Sequence, residues 1–148
     1  MIHPCSSVAR LYFSAHWCRP CRTFTPYLAE AYNAHIQYLN GRPETKRTEL
    51  DAEEKNEEIE VIFISLDSVV SEFESYRSTM PWHSIPHSNL WRLNIKDDLS
   101  QKYGVRSIPT LIVLDGESGD VVTRNGKGCY STYFKGDYQP PLSMCNIS

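Results

Sequence analysis

Apolar and polar positions change their period along this chain in a way that marks out strands and helices in turn. Val8–Phe13 is apolar except at Arg10, as expected of a short strand buried on both faces. Arg10 is the misfit, and its stem can lie buried while the head reaches the rim of the sheet. From Arg19 to about Leu39 the apolar residues Phe24, Tyr27, Leu28, Ala31, Tyr38 and Leu39 recur at helical spacing. Pro26 falls inside this pattern and predicts a kink, because it removes one hydrogen bond and crowds the preceding turn. Asn40-Gly41 ends the helix. Ile59–Leu66 carries the strongest strand signal in the chain. Two strands separated by a helix of this length predict a βαβ unit with parallel strands. Asp67 or Ser68 is placed to cap a helix running to about Thr79, with Val69, Val70, Phe73 and Tyr76 on one face. Met80-Pro81-Trp82 stops it, a polar loop follows through Pro86, and a short helix over about Asp97–Tyr103 ends at Gly104. Leu111–Leu114 and Val121–Arg124, separated by the Gly/Asp-rich Asp115–Asp120, predict an antiparallel hairpin. Beyond Asn125 the pattern dissolves into a poorly defined tail.

Composition narrows the class. At 148 residues with 41% apolar content, a single domain over residues 1–148 is expected. The net charge of −3 has one location: Arg42–Glu58 holds seven acids against four bases, and the rest of the chain is balanced at eleven of each. Residues 42–58 therefore read as an acidic, solvated insertion contributing little core. With no basic stripe, nucleic acid is not an expected partner. No run approaches the roughly 18 apolar residues of a membrane span, so no membrane is expected either. Met1–Cys5 lacks the basic and apolar regions of a signal peptide. Five cysteines, an odd number, argue against a secreted disulfide scaffold and for the cytoplasm.

Chemistry concentrates at Ser14-Ala15-His16-Trp17-Cys18-Arg19-Pro20-Cys21. Two sulfurs at C-x-x-C spacing stand where a strand ends and a helix begins. There the helix dipole and unpaired N–H groups favour negative charge on the first sulfur, which makes it a nucleophile. The competing assignment is a zinc or structural disulfide site. Structural zinc needs four ligands in paired spacing, and His3, Cys5, Cys129 and Cys145 are too scattered to supply a second pair. No metal or cofactor is expected beyond the Cys18–Cys21 redox-active disulfide itself. His16 could shuttle a proton, although a lone histidine is more often idle. Trp82 and Trp91 fit packing as well as they fit substrate contact.

The order strand, C-x-x-C helix, strand, helix, then Ile108-Pro109-Thr110 and a hairpin resembles the thioredoxin family. Tyr12-Phe13-Ser14-Ala15, Cys21-Arg22-Thr23-Phe24-Thr25-Pro26, Met80-Pro81-Trp82 and Ser118-Gly119-Asp120-Val121-Val122 are similar to the tryparedoxin branch, with nucleoredoxin beside it. The likeness covers about Leu11–Gly41 and Ile59–Thr123. It implies an α/β thioredoxin-like fold, a central mixed β-sheet flanked by helices, here starting almost at the central strand without the N-terminal strands of the family. It implies a thiol–disulfide oxidoreductase in which Cys18 attacks and Cys21 resolves, with Trp17 walling the site and Pro20 between the cysteines. Pro109 resembles the family's cis-proline, which lets the backbone of Ile108 pair with an extended substrate. Implied partners are a small dithiol donor such as trypanothione and protein disulfide targets such as peroxidases. The chain departs from the family in carrying Arg19 where tryparedoxins have proline, and in having Asp67 followed by Ser68-Val69-Val70 where acids are frequent. Arg19 adds a positive charge that would stabilise a Cys18 thiolate and make the couple more oxidising. Arg124 or Lys127 could take the place of a basic residue that holds an anionic thiol. A general protein disulfide reductase with another donor, and a thioredoxin-fold binding module with little turnover, remain alternatives.

Overall fold

The computed structural model describes residues 8–40 and 59–127. Its elements are β1 (Val8–Ser14), α1 (Arg19–Asn40), β2 (Ile59–Ser65), α2 (Val70–Arg77), β3 (His83–Ser84), α3 (His87–Arg92), α4 (Ile95–Lys102), β4 (Thr110–Asp115) and β5 (Val121–Thr123). One sheet joins the strands in the order β3-β2-β1-β4-β5. β1 runs parallel to β2 and antiparallel to β4, so the sheet is mixed, with β1 at its centre. This is the thioredoxin-like arrangement expected of the motif order.

Alternation along the central strand explains the two layers. Tyr12 joins Val61, Phe63 and Leu111 on one face, against Phe24, Leu28 and Ala31 of α1 and Phe73 and Tyr76 of α2. Leu11 and Phe13 join Ile64, Ile112 and Leu114 on the other, where Leu90 of α3 and Tyr103 after α4 cover them. The first face is aromatic. Phe63 stacks on Phe73 with ring centroids 6.0 Å apart and meets Tyr76 edge-on at 5.5 Å, while Trp82 packs edge-on to Tyr12 at 6.0 Å. Trp82 is thus a core residue, and Trp91 lies on the surface between the His87 ring and Lys96.

Four expectations need correction. Arg10 is 1% exposed and does not reach the rim; its Nη1 donates to the Val8 carbonyl at 3.5 Å. Neither Asp67 nor Ser68 caps α2: Val69 is the cap residue, with no side-chain hydrogen bond, and the helix spans only Val70–Arg77. Of its expected apolar face, Phe73 and Tyr76 are buried but Val69 and Val70 are exposed. The loop before Pro86 holds the two-residue β3, paired through Ile62–His83 and Phe63–Ser84, and α3 follows directly. Helix α4 ends as expected, with Gly104 in the left-handed region at φ +66°. The 42–58 insertion, residues 128–148 of the tail, and Cys5, Cys129 and Cys145 lie outside the described residues.

Candidate functional site

Three segments converge where β1 hands over to α1. The first is the turn itself. Ser14, the last residue of β1, is fully buried, and Cys18 is the cap residue of α1: its carbonyl accepts the first helical bond from Arg22 N at 3.1 Å. Its sulfur behaves as a capping side chain too, accepting the Cys21 N–H at 3.4 Å. The unpaired amides and positive end of a 22-residue helix are therefore directed at this sulfur.

The second segment is the loop before β4. The Ile108–Pro109 bond is cis, Pro109 is buried, and the Ile108 carbonyl accepts from Cys18 Sγ at 3.7 Å. The third follows β2. Asp67 is fully buried, and its two carboxylate oxygens accept the His16 N–H at 2.9 and 3.0 Å. Ser65 Oγ donates to the same carboxylate at 2.9 Å and accepts from Asp67 N at 2.9 Å. The acid that fails to cap α2 thus pins the residue two before Cys18.

Both cysteines are free thiols, and Cys21 Sγ donates toward Cys18 Sγ across 2.6 Å. Residues i and i+3 of a helix share a face, which brings the pair together. Cys18 retains 7% exposure and Cys21 none. Burial first, and the Cys18 sulfur second, push the Cys21 thiol up to about 12, against the opposing Ser14 hydroxyl and Ala15 backbone. Around the pair, Trp17 is 60% exposed, and Arg19 and Pro20 open the helix on the solvent side. His16 is half-buried, its ring edge-on to Tyr76 at 6.0 Å. Arg124 Nε donates to the Tyr103 carbonyl at 3.3 Å. Among the described residues, no cluster of three or more His, Cys, Asp or Glu could hold a metal ion.

Under the sulfurs lies a hydroxyl cluster that the sequence did not announce. Tyr76 OH is 2.7 Å from Ser14 Oγ and 2.6 Å from Thr25 Oγ1; Thr25 is 2.7 Å from Tyr12 OH and donates to the Cys21 carbonyl at 2.9 Å. Burial pushes the pKa of both Tyr12 and Tyr76 above the usual tyrosine range, keeping these phenols protonated. Tyr12 and Tyr76 read as core aromatics in the sequence. Thr25, four residues after Cys21 on the same helix face, was the one visible hint.

Comparison with known proteins agrees with this geometry. A family model described as thioredoxin-like matches residues 7–121. Nucleoredoxin of Mus musculus is 38% identical over 117 residues, which is 79% of this chain and 22% of that protein. The chain thus spans about a fifth of the nucleoredoxin length. Tryparedoxin of Trypanosoma brucei brucei is 37% identical over 112 residues, 76% of this chain and 63% of that one. A solved tryparedoxin II complexed with glutathionylspermidine superposes with a TM-score of 0.61 at 30% identity, covering 80% of this chain and 68% of the other. The chain belongs to the thioredoxin-like family, among relatives, the nucleoredoxins and tryparedoxins, that are thiol–disulfide oxidoreductases.

Proposed function

We propose that this chain is itself a dithiol–disulfide oxidoreductase that works through a Cys18–Cys21 cycle in the cytoplasm. The observation that carries the reading is the asymmetry of the two sulfurs: 2.6 Å apart, one at a helix entrance with an edge to solvent, the other wholly enclosed. Cys18, as thiolate, attacks a target disulfide; one target sulfur leaves with the electron pair of the broken bond, and a mixed disulfide remains. Cys21 then attacks Cys18 Sγ, closing the internal disulfide and releasing the second target sulfur as a thiol. The target leaves reduced by two electrons, and a dithiol donor restores the pair by the reverse exchange. Trp17, Pro20 and the Ile108–Pro109 backbone form the surface on which an extended substrate lies, and Arg19 favours the attacking thiolate.

For the donor we take a small dithiol such as trypanothione, and for the targets protein disulfides such as those of peroxidases. The support is the resemblance to tryparedoxins, one of which is solved with glutathionylspermidine. One observation favours a second reading, a protein disulfide reductase with a different donor. A polyamine-bearing thiol is cationic, yet Asp67 spends its carboxylate on His16 and Ser65, and Val69 and Val70 stand exposed beside it. Reduction of insulin disulfides, with trypanothione, glutathione, or NADPH plus thioredoxin reductase as donor, separates these readings. Fastest turnover with trypanothione supports the first, and turnover with one of the others alone supports the second. No turnover with any of the three would leave a binding module and overturn the enzyme assignment.

A further inference from the structure

Asp67 makes a second attachment besides the one to the redox turn: its carbonyl accepts from His87 Nε2 at 2.9 Å. His87 opens α3, and between α3 and α2 lies a groove of about 570 Å³. Ser84 lines it too, from β3, the outermost strand on this side of the sheet. The floor is apolar. Phe73 is 2% exposed beneath it, while Val70 at 55% and Trp91 at 37% stand open to solvent. The aromatic wall is fixed in place. The His87 ring meets Phe73 at 5.5 Å and stacks on Trp91 at 5.8 Å, and Lys96 Nζ lies 4.2 Å from the Trp91 ring centre. Apolar surface that is exposed yet held rigid loses little freedom when a ligand covers it.

The rim carries an excess of positive charge. Arg77 closes α2 and Arg92 closes α3; both are exposed and both line the groove, against Glu74 as the one acid among the described residues there. Neither guanidinium has a hydrogen-bond or ion-pair partner among the described residues, whereas Lys96 is paired with Asp97 at 3.0 Å. The chain as a whole is at −3, and the groove between α1 and α2 sets Arg22 against Glu30, so this excess is local. Each arginine complements the negative end of its own helix, but that does not explain why two helices bring theirs to one groove.

We propose that this groove docks an extended segment of a protein partner in which acidic and apolar side chains alternate. The apolar side chains settle on Val70, Phe73 and Trp91, and the carboxylates between them reach Arg77 and Arg92 on the rim. A guanidinium takes a carboxylate through two parallel bonds, and tryptophan and arginine are the side chains in which interface energy concentrates. A polypeptide suits the groove better than a compact solute, because it is an open trough at a sheet edge with its two cations on separate helices. The site makes no use of the Cys18–Cys21 cycle. A partner held in it lies next to the segment that pins the redox turn.

The test is an NMR titration of the 15N-labelled, reduced full chain with a blocked eight-residue peptide alternating glutamate and leucine. The amides of Val70, Phe73, Ser88 and Trp91 should shift together, with a Kd below about 1 mM. Peptides with lysine for glutamate, or with serine for leucine, should bind at least about tenfold more weakly. Arg77→Glu combined with Arg92→Glu should weaken the acidic peptide by about tenfold or more and make the lysine peptide the better ligand. Alkylation of Cys18 should be unchanged in that variant, so a failure of the groove and a failure of the thiols are read separately. Should the variant fail to fold, the three peptides on the parent chain decide. The proposal is overturned if the acidic peptide does not bind, if the lysine peptide binds the parent equally well, or if the shifts fall elsewhere. It is also overturned if a single-stranded oligonucleotide of eight thymidines binds these residues more tightly than the peptide. Shifts of the same amides on dilution of the chain alone would overturn it too, because a second copy would then fill the groove.

Discussion

Replacing Asp67 tests whether a buried carboxylate holds the redox turn in place. It lies fully inside the protein and receives two donors, the His16 N–H through both oxygens and the Ser65 hydroxyl through one. Hydrogen bonds to a charged acceptor contribute about 1.5–3 kcal/mol each, and a buried donor left without an acceptor costs a similar amount. Part of this is offset, because the variant no longer buries a charge. Asp67→Ala should therefore destabilise by about 2–4 kcal/mol, a large share of the roughly 5–15 kcal/mol that holds a domain together. Asp67→Asn keeps the shape and one acceptor oxygen and should lose about 1–2 kcal/mol. Ser65→Ala removes a partner of the same carboxylate, so its effect and that of Asp67→Asn should fall short of additive when combined. Urea unfolding of the reduced protein reads these differences. His16 stands two residues before Cys18, so Asp67→Ala should also slow alkylation of Cys18 by iodoacetamide. A loss below about 0.5 kcal/mol, the range of surface substitutions, together with unchanged alkylation, would refute the role.

Three further outcomes follow from single contacts. At Gly126 a methyl group would lie 2.8 Å from the Leu111 carbonyl oxygen and 2.9 Å from Val113 Cγ2, so Gly126→Ala should cost about 1–3 kcal/mol in a thermal melt. The Asp115 carboxylate takes the N–H groups of Ser118 and Glu117, at 3.0 and 2.8 Å, and is held below the usual aspartate range. Its support of the turn is complete above that range and is lost as pH falls through its depressed value; the amide shifts of Glu117 and Ser118 in NMR should titrate there rather than at an ordinary aspartate pH. Arg19→Pro should slow alkylation of Cys18 at neutral pH and raise the disulfide fraction in a fixed glutathione buffer; if neither moves, Arg19 is a surface residue with no part in the chemistry.

Periodicity made the large elements legible because their burial is periodic. β1 shows its apolar run because both its faces are covered, and α1 shows its stripe because Phe24, Leu28 and Ala31 all meet the sheet. What stayed hidden was short or locally driven. α3 buries one side chain, Leu90, and begins only after Pro86, so its six residues offered no stripe to read. β3 is a strand only because two residues pair with β2, a fact of tertiary contact rather than of pattern. Arg10 occupies a strand position facing inward, where its neighbours and not its hydropathy decide its burial.

The site divides in the same way, and the division has a physical basis. The reactive pair announces itself because two sulfurs at fixed spacing on a helix entrance is a local arrangement. Ser14, Thr25, Tyr76 and Asp67 are distant in sequence and meet only when the sheet closes, so no spacing rule links them. Tyr76 comes from α2, 51 residues beyond Thr25, yet bonds to it at 2.6 Å. Asp67 comes from the end of β2, 51 residues beyond His16, yet fixes its amide. Parallel pairing of β1 with β2 produces both contacts: Ser14 pairs with Ser65, so whatever follows β2 is carried to the base of the redox turn. Leu66 N donates to the Ser14 carbonyl at 3.0 Å, continuing the ladder past the last paired residue. A one-residue slip in this register would turn Ser65 and Asp67 away from the turn and leave the His16 amide without its acceptor. The strand register, and not the C-x-x-C motif alone, is what makes two adjacent thiols into a supported centre.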